Sequence, residues 1–238
     1  MECDLGPRRV VVDDGGMAQV TLEPITDAAA RVRASIAKRA VDICFATVSL
    51  VVSAPLWVLV PVLIWIDDRG PVFFHQARSG MGGREFQVTK FRSMVVHAER
   101  DGARQAVAGD ARVTRVGRVL RATAMDEVPQ LWHILRGDMS VVGPRALRPG
   151  EIDAVGDGRH VRLEDVPGFE VRSLVRPGLT GVAQLHASRN LPRRQKFRYD
   201  RLYIRRQSLR VDLGLILQSL WVTVSGRWEH RGQQQRTL

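Results

Sequence analysis

The chain has 238 residues, 45% of them hydrophobic, and its 36 lysines and arginines outweigh 25 acids to give a formal charge of +11. That length and apolar content can build a core and exclude a wholly disordered protein. The charge calls for an anionic partner: nucleic acid, an anionic membrane surface or a phosphate-bearing substrate. Two cysteines, Cys3 and Cys44, without paired spacing or a histidine cluster, exclude a disulfide framework and a structural zinc site.

The first residues lack a basic region followed by a short apolar stretch and a cleavage site, so no secretory signal is expected and the protein is placed in the cytosol or on its membrane. Residues 1–33 read as a variable tail, Met1 to about Asp27 showing no sustained periodicity. From Ile43 to Ile66 there is no charged residue, and a straight helix of that run would extend about 36 Å against a hydrocarbon thickness of about 30 Å. Residues 34–67 are therefore expected to form a membrane segment. Pro55 near the middle of the run and Pro61 after it each remove a helical hydrogen bond and favour a kink. Arg31, Arg33, Lys38 and Arg39 before the run, and a basic chain after Asp68, put both ends on the cytosolic side, which one run achieves only by turning back. A re-entrant hairpin follows, with the Ser53 hydroxyl available to a backbone group freed beside Pro55. Trp57 and Trp65 suit interfacial depth or plain packing equally.

Residues 68–210 read as the catalytic unit. Gly70-Pro-Val-Phe-Phe-His-Gln76 and Glu85 to Met94 predict two strands around the glycine turn Gly80-Met-Gly-Gly83; no Gly-Lys-Ser/Thr follows, so the glycines mark a turn rather than a phosphate loop. Lys90 and Arg92, two apart on a strand, share a face able to grip one anion. Arg112, Arg115, Arg118 and Arg121 recur every third residue among valines and leucine, an amphipathic helix whose basic side is either solvated or rests on anionic headgroups, with Arg121 in reach of a substrate phosphate. Asp126 and Glu127 are adjacent, and Pro129 follows Glu127 by two residues. Alone, such a pair reads as a helix start; with arginines before it and the loop Gly143-Pro-Arg145 after it, phosphate chemistry with a metal becomes the better account. Pro177-Gly178 predicts a turn. In the final unit, 211–238, Leu213, Ile216, Leu217, Leu220, Trp221 and Val224 fall on one helical face that packs on the domain or rests on lipid.

Taken in order, Lys38-Arg39-Ala-Val-Asp42 and the apolar run, Gly70 to Gln76, Lys90-Phe-Arg-Ser-Met94, Thr114-Arg-Val-Gly-Arg118, Asp126-Glu-Val-Pro-Gln-Leu-Trp132, Gly137 to Arg145, Arg176 to Gln184, Arg189-Asn190, Asp200 and Tyr203 resemble the bacterial sugar transferases, the monotopic polyprenyl-phosphate phosphoglycosyl transferases. The likeness spans about Lys38 to Leu220, and the chain is similar to the short, catalytic-core form. It implies an α+β, mostly helical fold: a re-entrant membrane helix, amphipathic interfacial helices and a small β-hairpin in a compact cytosolic catalytic unit on the bacterial inner membrane.

The implied reaction passes a sugar-1-phosphate from a nucleotide-diphosphate sugar, usually a UDP-sugar, to polyprenyl phosphate, releasing UMP and initiating exopolysaccharide, capsule or glycoconjugate synthesis. By the same resemblance Asp126 is the nucleophile, and Glu127 shares a Mg²⁺ ion with it or assists the leaving group. Lys90, Arg92, Arg121, Arg145 and Arg189 are candidate phosphate clamps, because fixed cationic donors suit spread negative charge. Gln184 positions the nucleotide or braces its loop. The implied partners are the nucleotide sugar, polyprenyl phosphate and membrane lipids; nucleic acid has no part, and a homodimer is left open. Three departures stand out. Leu185-His-Ala-Ser188 stands where the family has an Asn-Gly-containing turn. Ala146 replaces the proline that commonly follows Gly-Pro-Arg, and Ala54 separates Ser53 from Pro55. The competing readings are a membrane-tethered nucleic-acid binder, against which the acidic pair and the lack of a helix-turn-helix or stacking aromatics argue, and an inactive scaffold, against which Asp126, Glu127 and Lys90 argue.

Overall fold

A computed structural model describes residues 11–12, 18–19, 23–100, 109–154, 160–188 and 191–225. A short antiparallel pair, β1 (Val11–Val12) with β2 (Ala18–Gln19), precedes helix α1 (Glu23–Ala34). The helix covers the end of the stretch read as a tail, and in it Ile25, Ala28, Ala29 and Val32 are buried at i, i+3, i+4 and i+7. Ser35 then caps α2 (Ile36–Val52), its hydroxyl accepting the Lys38 N–H at 3.2 Å.

The long apolar run divides as Pro55 requires. α2 stops at Val52, α3 (Leu56–Asp67) restarts at Pro55, and the two axes bend by 61°. Ser53 donates its hydroxyl to the Leu50 carbonyl at 3.2 Å, satisfying one acceptor at the break. Pro61 lies inside α3 without interrupting it. Among the described residues no single helix is long and apolar enough to cross a membrane, but the bent pair together is. Val48, Val51, Val52, Val58, Leu59, Val62 and Ile66 are exposed. The opposite side of α3 is not: Val60 and Ile64 are buried with Phe91 and Leu120, and Trp57 meets Phe91 edge-on at 5.6 Å. Trp57 is thus a packing residue, while Trp65 is half exposed beneath the Arg69 guanidinium.

The glycine turn closes an antiparallel hairpin, β3 (Phe73–Ser79) with β4 (Glu85–Phe91), in which Phe74 faces Lys90 and Arg78 faces Phe86. α4 (Arg115–Ala122) starts at Thr114, whose hydroxyl accepts the Gly117 N–H at 2.9 Å. A Cβ on Gly117 would fall 2.0 Å from the Ser93 carbonyl oxygen, so the glycine permits the close approach of α4 to the chain after β4. A 3₁₀ turn (Met125–Gln130) runs into α5 (Leu131–Arg136), which ends on Gly137 in the left-handed region at φ 93°.

Strand β5 (Ser140–Val142) is buried and pairs in parallel with β8 (Gly178–Thr180). Between them lie the antiparallel β6 (Ile152–Ala154) and β7 (His160–Arg162) and helix α6 (Phe169–Arg172). α7 (Val182–His186), α8 (Arg193–Arg206) and α9 (Leu209–Val224) follow. α1 packs on α8, and α9 leans on β5 and α7. The apolar face expected in the last helix divides in two. Leu213, Leu217, Leu220, Trp221 and Val224 are exposed, whereas Ile216 turns inward with Leu215 and Val222, because it stands one turn after the buried Asp212 and so lies on that side of α9.

α2 is also joined to the rest by a buried polar knot. The Lys38 ammonium donates to Asp212 Oδ2 at 3.1 Å and to the Val142 carbonyl at 3.0 Å. The Tyr203 hydroxyl lies 2.9 Å from Asp212 Oδ1 and 3.0 Å from the same carbonyl. Asp42, 3% exposed, accepts the Ser140 hydroxyl at 2.8 Å and the Val141 N–H at 2.9 Å. Replacing Asp212 with leucine strands a buried ammonium and is expected to cost roughly 3–5 kcal/mol, read as a lowered melting temperature in detergent. Adding Lys38→Met to Asp212→Leu should recover most of that loss.

Candidate active site

The chain reaches the acidic pair through a strained corner. Ala124 adopts φ 55° and ψ 19°, a left-handed conformation that is unfavourable for alanine. The corner reverses the chain between α4 and the 3₁₀ turn. Arg121, in the last turn of α4, and Asp126, in the first turn of the next element, are thereby brought into one electrostatic neighbourhood. No glycine or asparagine marks this turn in the sequence, so nothing in the local composition announces it.

Asp126 is 8% exposed. Burial pushes its carboxyl up from the ordinary 3.8 to about 6, with Glu127 adding to the rise while Lys90 and Arg121 oppose it. Glu127 moves the other way. Burial alone would raise it too, but Lys90, Arg145 and Arg78 outweigh that and hold it at about 2. The Lys90 ammonium donates directly to Glu127 Oε1. One carboxylate is therefore fixed as an anion, while its neighbour is held poorly solvated and basic, a division of environment that suits different chemical tasks.

Of the residues singled out from sequence, Lys90, Arg121 and Arg145 all act electrostatically on the pair. Arg145 is exposed at the loop after β5. Arg92 goes elsewhere. β4 ends at Phe91, and the Arg92 guanidinium is buried against the Asp68 carbonyl, with Asp68 Oδ2 at 3.7 Å. Gln184 donates to the Gly178 carbonyl at 3.4 Å, a brace on the loop, and its Oε1 is buried without a hydrogen-bond partner. Arg189 lies outside the described residues.

The Gly143–Arg145 loop is fixed despite Ala146. The Gly143 N–H donates to the Thr180 carbonyl at 2.9 Å, and the Gly178 N–H donates to the Pro144 carbonyl at 2.8 Å. A Cβ on Gly178 would fall 2.0 Å from Gly143 N, so only glycine lets the two backbones meet. Two arginines that sequence reasoning missed hold the next carbonyls. Arg172 donates to the Arg145 carbonyl while pairing with buried Asp200 at 2.9 Å, and Arg78 donates to the Ala146 carbonyl at 3.0 Å.

Arg78 is also a member of the site. Burial first, then Arg145 and Arg148, lowers it from 12.5 to about 10, so it stays charged at neutral pH beside Glu127. Period-two alternation would have found it, since Phe74, Gln76 and Arg78 share the hairpin face that Lys90 occupies by pairing with Phe74. Arg172 left no such signal.

Among the described residues no group of three or more His, Cys, Asp and Glu converges on a metal position. Two adjacent carboxylates nonetheless fit Mg²⁺, which is commonly held by one or two carboxylates together with substrate phosphate oxygens and water.

This ordered geometry coincides with a family match over residues 33–226, to the bacterial sugar transferases. The chain belongs to that family. It is 41% identical over 197 residues to a UDP-glucose:undecaprenyl-phosphate glucose-1-phosphate transferase from Caulobacter vibrioides, covering 80% of this chain and 70% of that protein. It is 37% identical over 192 residues to a UDP-N-acetylgalactosamine-undecaprenyl-phosphate N-acetylgalactosaminephosphotransferase from Aeromonas hydrophila, covering 79% of this chain but 44% of that protein. An exopolysaccharide production protein from Rhizobium leguminosarum is 38% identical over 185 residues, covering 75% of this chain and 90% of its own length. The match to the Aeromonas relative thus spans less than half of that protein.

The field around Asp126 has a measurable consequence. Its folded value of about 6 lies above the ordinary 3.8, so ionising Asp126 weakens the fold; the penalty is complete above pH about 6 and absent below pH about 4. Asp126→Asn is expected to raise the melting temperature by several degrees near pH 7.5, and the gain should vanish as pH falls through that window. Carboxyl NMR of the metal-free protein should place the Asp126 midpoint near 6, and Lys90→Met should move it higher.

Proposed function

We propose that this chain transfers a sugar-1-phosphate from a nucleotide-diphosphate sugar, of the UDP class, to polyprenyl phosphate on the cytosolic face of the bacterial inner membrane, and thereby initiates exopolysaccharide or capsule assembly. The observation that carries the reading is Asp126, a buried carboxylate beside Glu127 and within the field of Lys90 and Arg121, in a chain of the bacterial sugar transferase family.

In the first half-reaction an Asp126 carboxylate oxygen attacks the sugar-bearing phosphorus. The bond from that phosphorus to the bridging oxygen breaks, and UMP leaves with the electron pair. A phosphate oxygen of the polyprenyl acceptor then attacks the same phosphorus, restoring the Asp126 carboxylate and giving a polyprenyl-diphosphate sugar. A carboxylate approaching a diphosphate meets like charge. Lys90, Arg121, Arg145 and Arg78 supply the fixed positive field that offsets it, and a low-dielectric site makes that field stronger than it would be in water. Asp126 is ionised at neutral pH yet poorly solvated, which favours attack. Glu127, pinned as an anion by Lys90, is the steadier of the two metal-side oxygen donors. Mg²⁺ held by Asp126 and Glu127 would neutralise donor phosphate charge and the departing UMP oxygen.

Seating at a bilayer is supported by the 61° bend at Pro55. It is also supported by apolar side chains left exposed on α2, α3 and α9, with Val119 on α4 and Trp132 on α5. A re-entrant path accounts for both the bend and the basic residues at each end of the pair.

Full-length protein in nanodiscs with polyprenyl phosphate and a panel of UDP-sugars should release UMP with at least one donor. EDTA should abolish release and Mg²⁺ restore it. Asp126→Asn should lower turnover by about 10³-fold or more, the scale seen when a nucleophile is removed; undiminished UMP release from that variant would overturn the covalent route.

A further inference from the structure

We propose that His133 is a positioning residue: its neutral imidazole, accepting the Thr89 N–H at Nε2, holds the strand that carries Lys90 against the segment that carries Asp126 and Glu127. Among the described residues no further strand joins the hairpin, so the outer edge of β4 presents backbone groups that β3 does not serve, and such groups need partners when buried. At Thr89 the partner is a side chain. The Thr89 N–H donates to His133 Nε2 at 3.2 Å, so the ring nitrogen stands where a neighbouring strand would offer a carbonyl.

Two links then join the same two segments. Lys90, next in sequence to Thr89, pairs with Glu127, and Thr89 itself is held by His133, six residues after Glu127 on the continuous run through the 3₁₀ turn and α5. The first link lies inside the site, where substrate phosphates would compete for the lysine. The second does not involve the acidic pair and keeps the spacing while Lys90 exchanges partners. An Nε2 that accepts requires the ring proton at Nδ1. Asp138 Oδ2 lies 3.5 Å from that nitrogen and also receives Arg136 at 3.2 Å. Phe86 packs against the ring with centroids 5.8 Å apart, and His75 on β3 contributes a nearby imidazole. The imidazole is 4% exposed at the residue level, and burial lowers its pKa, which keeps it neutral at physiological pH. The His133 carbonyl is likewise engaged, accepting the Gly137, Asp138 and Met139 N–H groups at 3.0–3.2 Å, so the ring is presented from a closed helix end.

The kinetic part of this proposal rests on the transferase reading; the spectroscopic part does not. Two variants of the full chain separate positioning from packing. In His133→Gln the amide end reaches the place of Nε2, whereas in His133→Asn it reaches only the place of Nδ1, and both remove the ring from Phe86. The glutamine variant should keep kcat for UMP release within about threefold of the parent, and the asparagine variant should lose about tenfold or more per folded molecule, the scale of one lost hydrogen bond. Thr89 amide exchange should follow the same order, protected in the parent and the glutamine variant and about tenfold faster with asparagine. Equal losses in the two variants would overturn positioning in favour of simple packing. In histidine-labelled protein, ¹⁵N NMR should report an Nδ1–H tautomer for the signal that His133→Gln deletes, and an Nε2–H tautomer there would overturn the proposal by itself. If the parent releases no UMP with any donor, the transferase reading fails, and the tautomer and exchange measurements still decide the role of His133.

Discussion

A lysine and two aspartates sealed at the foot of α2 are the constraint on which the other parts depend. Lys38 and Asp42 stand one turn apart on that helix, and each reaches β5, the lysine through the Val142 carbonyl and the aspartate through Ser140 and Val141. Burying such groups is costly unless every one is paired. The pairing is complete only when α2, β5, α8 and α9 come together, since Tyr203 and Asp212 supply the remaining contacts. The register of β5 thereby fixes the start of the loop that bears Arg145, and the position of the bent helix pair is tied to the same strand.

At the site the physics is a contest between desolvation and a local excess of positive charge. Neighbouring carboxylates end on opposite sides of their ordinary range because the excess is unevenly shared: burial acts most on both, but Lys90, Arg145 and Arg78 outweigh it at Glu127, whereas Lys90 and Arg121 do not at Asp126. The basic net charge thus has a local purpose, with Arg78, Arg121 and Arg145 gathered around two acids. Other arginines do structural work. Arg172 and Arg39 spend donors on backbone carbonyls, and Arg112 folds back on Asp110.

Sequence reasoning reached those features whose signal is local. Pro55 within an uncharged run gave the bend, glycines between alternating apolar residues gave the hairpin, and an ordered set of motifs gave the family and the acidic pair. Features that depend on tertiary contact stayed hidden. Arg92 shares strand alternation with Lys90 in the sequence, but β4 ends one residue earlier and Asp68 captures the guanidinium. Ala124 adopts a left-handed corner that only its surroundings impose. The inward residues of α1 span only two turns and two of the four are alanines, a weak apolar signal, so its burial is visible only once α8 is in place. Asp200 and Tyr203 were recognisable as motif positions, yet their tasks, holding Arg172 and closing the knot around Asp212, could be read only from the assembled fold.

The separation of 174 residues between Lys38 and Asp212 also bears on how the protein is made. Chains emerge from the ribosome N-terminus first, so the lysine is exposed long before its counter-charge exists, and it must remain hydrated during that interval. α2 cannot settle into its final berth while that ammonium is unmatched. The closing contact falls to α9, and a chain stalled before Asp212 would carry Asp126 and Glu127 but lack the counter-charge that ties α2 to the strand from which the Arg145 loop starts. α2, which binds β5, therefore waits on a residue near the other end of the described fold before its buried charge is matched.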